Sequence, residues 1–262
     1  MDEIKIKVNA KINLSLDITG VREDGYHTLD MLMSSIDIYD VIAAKSSKSS
    51  AVTMDGKSAP RDNTATKTLQ LLGERYGIAM QVDIVKGIPF SAGMGGSSAD
   101  ASGVLFCASK LYGIPLEELM PIALKVGCDV PYMCYGGGAR VSGVGEVVAP
   151  VEIPQTSLVV VQTMAGASTK EIYKKYDEVG GDKEGKYFNV LEKSAIMLTP
   201  DIAKAKRDLL RFTDTVFMTG SGSAYVGIFD DGESAEKCAE ILRNDNIFAK
   251  AAHTQSVGIE II

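Results

Sequence analysis

The chain has 262 residues, 45% of them hydrophobic, and a net charge of −7 at pH 7 with a pI near 5. That supplies core for one large domain or two small ones. The acidic balance argues against a nucleic-acid-binding surface, and no apolar run approaches the ~20 residues that cross a bilayer, so no membrane partner is expected.

The N-terminus, M-D-E-I-K-I-K-V, lacks a signal-peptide core, which predicts a cytoplasmic protein. Cys107, Cys128, Cys134 and Cys238 form no C-x-x-C pair, and only His27 and His253 are available to join them. Neither a zinc site nor a disulfide is expected, no protein-held metal is assigned, and Cys107 reads as core filler.

In chain order, residues 3–9 and 12–19 alternate as strands with a break at Ala10–Lys11. Further strands are predicted at 36–44 and 79–85, with exposed turns at 46–50 and 58–63 between them. A helix is expected from Thr64 to Arg75, ending at Gly77, and another from Leu116 to Val126 between Pro115 and Gly127. Residues 139–148 read as strand after the G-G-G run at 136–138. Pro150 and Pro154 flank a boundary near residue 155, dividing the chain into domains 1–155 and 156–262. The second half predicts strand 157–163, helices 168–178, 189–198 and 201–212, strands 215–219 and 224–230, helix 234–244 and a last strand at 256–262. This mixed order indicates an α+β sandwich and not a doubly wound sheet.

The stretch Lys86–Gly103, K-G-I-P-F-S-A-G-M-G-G-S-S-A-D-A-S-G, runs from a strand end through small residues into a helix. Gly93, Gly95 and Gly96 admit backbone shapes that a Cβ blocks. Ser97 and Asp100 form an S-x-x-D capping signature at the helix start. Ala101, Val104, Leu105, Ala108 and Leu111 then recur at amphipathic spacing, and Gly113 ends the helix. A glycine loop feeding a helix N-terminus is an anion site, because free N–H groups and the helix dipole converge there. The P-loop lysine, the dinucleotide G-x-G-x-x-G and the protein-kinase motif set are all missing. A different phosphate loop remains, or a simple connector.

Lys11 interrupts an apolar strand, with Asn13 two positions on and on the same side. In isolation such a lysine is an edge charge on a solvated face. Asp24-Gly25-Tyr26-His27 reads as a turn and an aromatic pair, Asp129 in G-C-D-V-P also suits a turn, and T-G-S-G at 219–222 also suits a hairpin.

Taken in order, A-K-I-N-L (10–14), D-G-Y-H (24–27), the glycine loop, G-C-D-V-P (127–131) and T-G-S-G resemble the GHMP small-molecule kinases. A-K-I-N-L with D-G-Y-H narrows the resemblance to the branch acting on 4-diphosphocytidyl-2-C-methyl-D-erythritol (CDP-methylerythritol). The resemblance implies a GHMP kinase fold with a ribosomal-S5-like N-terminal half and a ferredoxin-like C-terminal half. It implies ATP as donor with Mg2+, Asp129 as base and Lys11 as its paired cation. Pro89, Phe90, Ser91, Ala92, Gly93, Met94, Gly95, Gly96, Ser97, Ser98 and Ala99 match the phosphate loop. Asn63 and Lys86 match positions on the adenine side. Asn13, Tyr26, His27 and Tyr173 match substrate-binding positions, the aromatics and His27 at the cytosine. The loop departs from the family's G-L-G-G-G-S-S-D-A-A, with Ser97 in place of a third glycine and Ala99 in place of the second serine.

Overall fold

The computed structural model describes residues 3–60 and 62–262; Arg61, within the turn expected at 58–63, lies outside them. The N-terminal half contains strands β1 (Glu3–Val21), β2 (His27–Ser46), β3 (Ala51–Met54) and β4 (Lys57–Ser58), then α1 (Thr64–Tyr76) and β5 (Met80–Val85). Helices α2 (Gly96–Tyr112), α3 (Leu116–Val126) and α4 (Val130–Tyr135) come next, and the hairpin β6 (Gly138–Gly143) and β7 (Val147–Pro150) closes it. Beyond it lie β8 (Ser157–Gln162), α5 (Thr169–Val179), β9 (Phe188–Asn189), α6 (Glu192–Leu198), a 3₁₀ turn at Pro200–Ile202 and α7 (Ala203–Leu209). Then come β10 (Val216–Met218), β11 (Tyr225–Phe229), α8 (Gly232–Leu242), β12 (Phe248–Gln255) and β13 (Ile259–Ile261).

The expected break at Ala10–Lys11 is a bulge inside one strand. Asn9 pairs with Tyr39 and Ala10 with Ile36, which leaves Asp37 and Ile38 of β2 without partners in β1. A bulge bends the strand and re-aims the side chains beyond the bend. Past it β1 is buried on both faces through Leu14, so Lys11 is 3% exposed instead of lying on a solvated edge.

In the second half, β8, β10, β11 and β12 make an antiparallel sheet in the order β10-β11-β8-β12. With helices after β8 and β11, this is the split β-α-β-β-α-β arrangement. The sequence pattern does not predict β12, because A-K-A-A has little β propensity; pairing along all of β8 overrides that. The ladder crosses residue 155: β12 also pairs with β2, β13 with β1, and β9 with β1.

α2 is the central helix, and the expected amphipathic pattern does not hold. Every residue from Ala99 to Leu105 is buried, because α1, α3 and α4 cover the side turned away from β1 and β2. Gly103 permits the close approach: a Cβ there would meet Ile42 Cδ1 at 2.3 Å and Val8 Cγ2 at 2.9 Å. Fully burying Val104 or Leu105 contributes ~1.5–3 kcal/mol each. The capping signature is not realised either. Gly95, at φ 74°, is the N-cap and no side chain caps the helix. Asp100 instead turns inward to the Lys86 ammonium, 2.9 Å from each carboxylate oxygen.

Candidate active site

The glycine loop, the first strand and the start of α4 converge. Lys11 Nζ donates to Asn13 Oδ1 at 2.7 Å and lies 3.4 Å from Asp129 Oδ2. Asp129 sits at the N-cap position of α4 and its side chain makes no capping bond, which leaves the carboxylate to the lysine and to the cleft. The Lys11 backbone N–H donates to Met94 O at 3.1 Å, so β1 and the loop are tied together. A Cβ on Gly95 would stand 3.0 Å from Lys11 Cγ; the bare glycine lets the lysine stem pass.

The loop rests on the T-G-S-G turn. A Cβ on Gly93, whose φ is +76°, would come within 2.2 Å of Thr219 O. Ser223 N–H and Ala224 N–H donate to Ser91 O and Ala92 O, both at 3.2 Å. Asn13 closes the join: its N–H donates to Thr219 Oγ1 at 2.9 Å and its Oδ1 accepts from Gly220 N–H at 3.1 Å. Asn189 holds the same turn through Met218 O and Gly220 O. The segment is therefore a hairpin turn, as its residues alone allowed, and also the floor of the loop. Thr219, Gly220 and Asn189 were not among the expected site residues; only the T-G-S-G motif pointed to the first two.

Among the described residues, the N–H groups of Gly96, Ser97 and Ser98 have no protein acceptor, and the first bond into the helix is Ala99 N–H to Gly95 O at 2.8 Å. The Ser97 and Ser98 hydroxyls carry no protein hydrogen bond there either. Ala92, Met94 and Ala99 turn their side chains into the core, while Phe90 is 69% exposed. Pro89 and Ser91, the latter at φ 53°, complete the bend. The result is a concave row of donors at a helix start, suited to phosphate oxygens.

No group of three His, Cys, Asp or Glu among the described residues could hold a metal alone. The two unbonded serine hydroxyls beside free amides are oxygen donors of a kind that fits a magnesium ion.

Asn63 and Lys86 border the loop. Asn63 caps α1, accepting from Thr66 N–H at 2.8 Å and donating to Thr66 Oγ1 at 2.7 Å and to Pro60 O. Lys86 is buried between Asp40 and Asp100, and Asp40 Oδ1 also accepts from Gly87 and Ile88 N–H. Burial works against the Lys86 charge, yet the two carboxylates overcome it and raise its pKa. Burial pushes the Asp100 carboxyl up to about 7, with Lys86 pulling the other way.

On the other flank, His27 Nε2 lies 2.7 Å from Asp177 Oδ1, and the Tyr173 ring sits 4.9 Å from the imidazole at 49°. Burial, then the Asp129 charge, raises the Tyr173 hydroxyl pKa. Tyr26 is exposed and lines a cleft of about 510 Å³ with Arg22, Lys67, Lys125, Cys128 and Glu146. Burial pushes the Cys107 and Cys134 thiols up to about 12, as core filler requires.

The sequence matches the GHMP kinases N terminal domain over residues 63–137 and the GHMP kinases C terminal domain over 176–247. A 4-diphosphocytidyl-2-C-methyl-D-erythritol kinase of Thermoanaerobacter pseudethanolicus is 36% identical, the match covering 100% of this chain and 99% of that protein. One from Clostridium botulinum (strain Eklund 17B / Type B) is 37% identical over 92% of this chain and 96% of its own. The chain belongs to the 4-diphosphocytidyl-2-C-methyl-D-erythritol kinase family of GHMP kinases. A crystal structure of 4-(cytidine 5'-diphospho)-2C-methyl-D-erythritol kinase superposes with a TM-score of 0.82 at 30% identity, covering 96% of this chain and 99% of that one. A homoserine kinase from Cytophaga hutchinsonii, at 17% identity and a TM-score of 0.72 over 100% and 98% of the chains, shares the GHMP kinase fold. Family members thus share the two-part α+β architecture described above.

Proposed function

We propose that this chain transfers the γ-phosphoryl group of ATP to the 2-hydroxyl of CDP-methylerythritol, giving the 2-phosphate and ADP in the non-mevalonate isoprenoid precursor pathway. The single observation that carries the reading is the meeting of Lys11 and Asp129, at 3.4 Å, beside the free amides that open α2.

Asp129 takes the proton of the 2-hydroxyl as its oxygen bonds to the γ-phosphorus. The bond from that phosphorus to the β-bridging oxygen breaks, and ADP leaves with the electron pair. Lys11, 3.4 Å from the Asp129 carboxylate, stabilises the negative charge that develops on the substrate oxygen. Asn13 fixes the ammonium from one side, itself held by Thr219 and Gly220. The N–H groups of Gly96, Ser97 and Ser98, with the rest of the Pro89–Ala99 loop, grip the phosphates, where positioning and charge stabilisation supply most of the catalysis. The Ser97 and Ser98 hydroxyls would hold a magnesium ion brought by the nucleotide, which would supply neutralisation of phosphate charge. Asn63 and Lys86 stand on the donor side. Tyr26 and Tyr173 flank the cytosine and His27 addresses its edge. A division near residue 155 into an ATP-binding half and a C-terminal half, and a cytoplasmic location, belong to the same reading.

A panel of alcohols incubated with ATP and the purified chain tests it, with products followed by phosphorus NMR. A new phosphomonoester on CDP-methylerythritol, with ADP, is expected. Preferential phosphorylation of homoserine or a mevalonate derivative contradicts the assignment.

A further inference from the structure

The His27 imidazole is gripped by one face of a helix 150 residues away in sequence. Tyr173, Tyr176 and Asp177 stand at positions i, i+3 and i+4 of α5, which brings all three to one side. Tyr173 lies 4.9 Å from the imidazole at 49°, Tyr176 lies 6.4 Å away edge-on at 84°, and Asp177 Oδ1 is 2.7 Å from Nε2. The helix is itself anchored by a full capping box: Ser168 Oγ accepts from Glu171 N–H, and Glu171 Oε2 accepts from Ser168 N–H. Among the described residues, Nδ1 of His27 has no hydrogen-bond partner.

A carboxylate only accepts hydrogen bonds, so Nε2 must carry the proton that joins it to Asp177. In a neutral imidazole that leaves Nδ1 as a bare lone pair, an acceptor. The second partner of the ring thereby decides what the first can recognise.

We infer that Asp177 is a positioning residue that sets base specificity, by fixing His27 in the tautomer whose Nδ1 accepts from an exocyclic amino group. This rests on the reading of the chain as a kinase of a cytidine-diphosphate alcohol. Cytosine offers a 4-amino donor at that edge. Uracil offers a carbonyl oxygen, and an acceptor facing an acceptor is repelled. Stacking on Tyr173 tolerates either pyrimidine, so discrimination falls to the imidazole and to the residue that sets its proton.

Asp177 is exposed near the end of α5, where removing a negative charge favours the helix, so Asp177→Ala should fold. The chain has two histidines, and His253→Gln leaves one imidazole to observe by nitrogen-15 NMR. At pH 7.5, without substrate, His27 is expected as the Nε2–H tautomer, and as a tautomer mixture after Asp177→Ala. In kinetics, Asp177→Ala should narrow the preference for CDP-methylerythritol over its uridine analogue about tenfold or more, the worth of one hydrogen bond. The change should fall in KM, with kcat within about twofold, because the phosphoryl-transfer groups are untouched. A wild-type Nδ1–H tautomer or a doubly protonated ring overturns the inference, as does an Asp177→Ala protein whose tautomer and substrate ratio are unchanged. Failure of the wild-type protein to phosphorylate CDP-methylerythritol refutes the proposed function instead, and the tautomer is still read from the spectrum.

Discussion

Lys11 Nζ and Asp129 Oδ2 stand 3.4 Å apart, but the lysine side chain is 4% exposed and the aspartate 31%. The cation is locked in the wall by Asn13 while the carboxylate opens to the cleft. A base has to reach its substrate, and a charge that stabilises the transition state is best held still. The bulge after Asn9 and the uncapped N-cap position of Asp129 produce this asymmetry from two distant segments.

The contact between the glycine loop and the T-G-S-G turn leads to a stability prediction. Gly93→Ala places a methyl 2.2 Å from Thr219 O and forces φ +76° on a residue with a Cβ. Neither backbone can yield cheaply, so the variant should lose about 2–4 kcal/mol in urea unfolding. Its affinity for ATP should fall as well, since the same backbone shapes the phosphate cradle.

The buried Asp40–Lys86–Asp100 cluster predicts a pH dependence. Burial holds the Asp100 carboxyl at about 7 in the folded chain, against about 3.9 when unfolded. The folded state therefore binds more protons between those values. This group's stabilisation is full below about 4 and is lost as pH rises through about 7. Asp100→Asn keeps a neutral side chain of similar shape. It should match the parent at pH 4 to within about 1 kcal/mol, flatten the decline in unfolding free energy between pH 4 and 7, and be the more stable of the two at pH 8. An unchanged slope would show that Asp100 is ionised throughout.

Tyr173 separates packing from base recognition. Tyr173→Phe keeps the ring beside His27 and should bind CDP-methylerythritol nearly as well as the parent. Tyr173→Ala should raise KM about 5- to 150-fold, corresponding to the ~1–3 kcal/mol of stacking. The check is steady-state kinetics at saturating ATP; equal KM values for the two variants would place the base elsewhere.

The site is legible where its chemistry is written in short motifs. Lys11 and Asn13 share a strand face, the small residues at 93–99 read as a phosphate loop, and Asp129 lies in a compact turn. The structure brings all of these together. The features that sequence reasoning misses depend on partners remote in the chain. Asp40 sits in I-D-I-Y-D, an alternation that suggests an exposed charge, yet it is buried because Lys86 meets it from β5's end. Asp100 has the spacing of half a helix cap, but the same lysine draws it inward. β12 is rich in alanine and becomes a strand only because β8 is there to pair with it. Asp177 has the look of one more helix-surface acid, and nothing local links it to His27.

The most direct test is single-turnover phosphoryl transfer by Asp129→Asn and Lys11→Ala, with ATP affinity measured on the same preparations by calorimetry. Losing the base or its cation should slow transfer to CDP-methylerythritol by about 10²–10⁴-fold, with ATP bound within a few-fold of the parent because the loop amides are intact. Transfer near the parent rate in either variant would contradict the roles given to this pair.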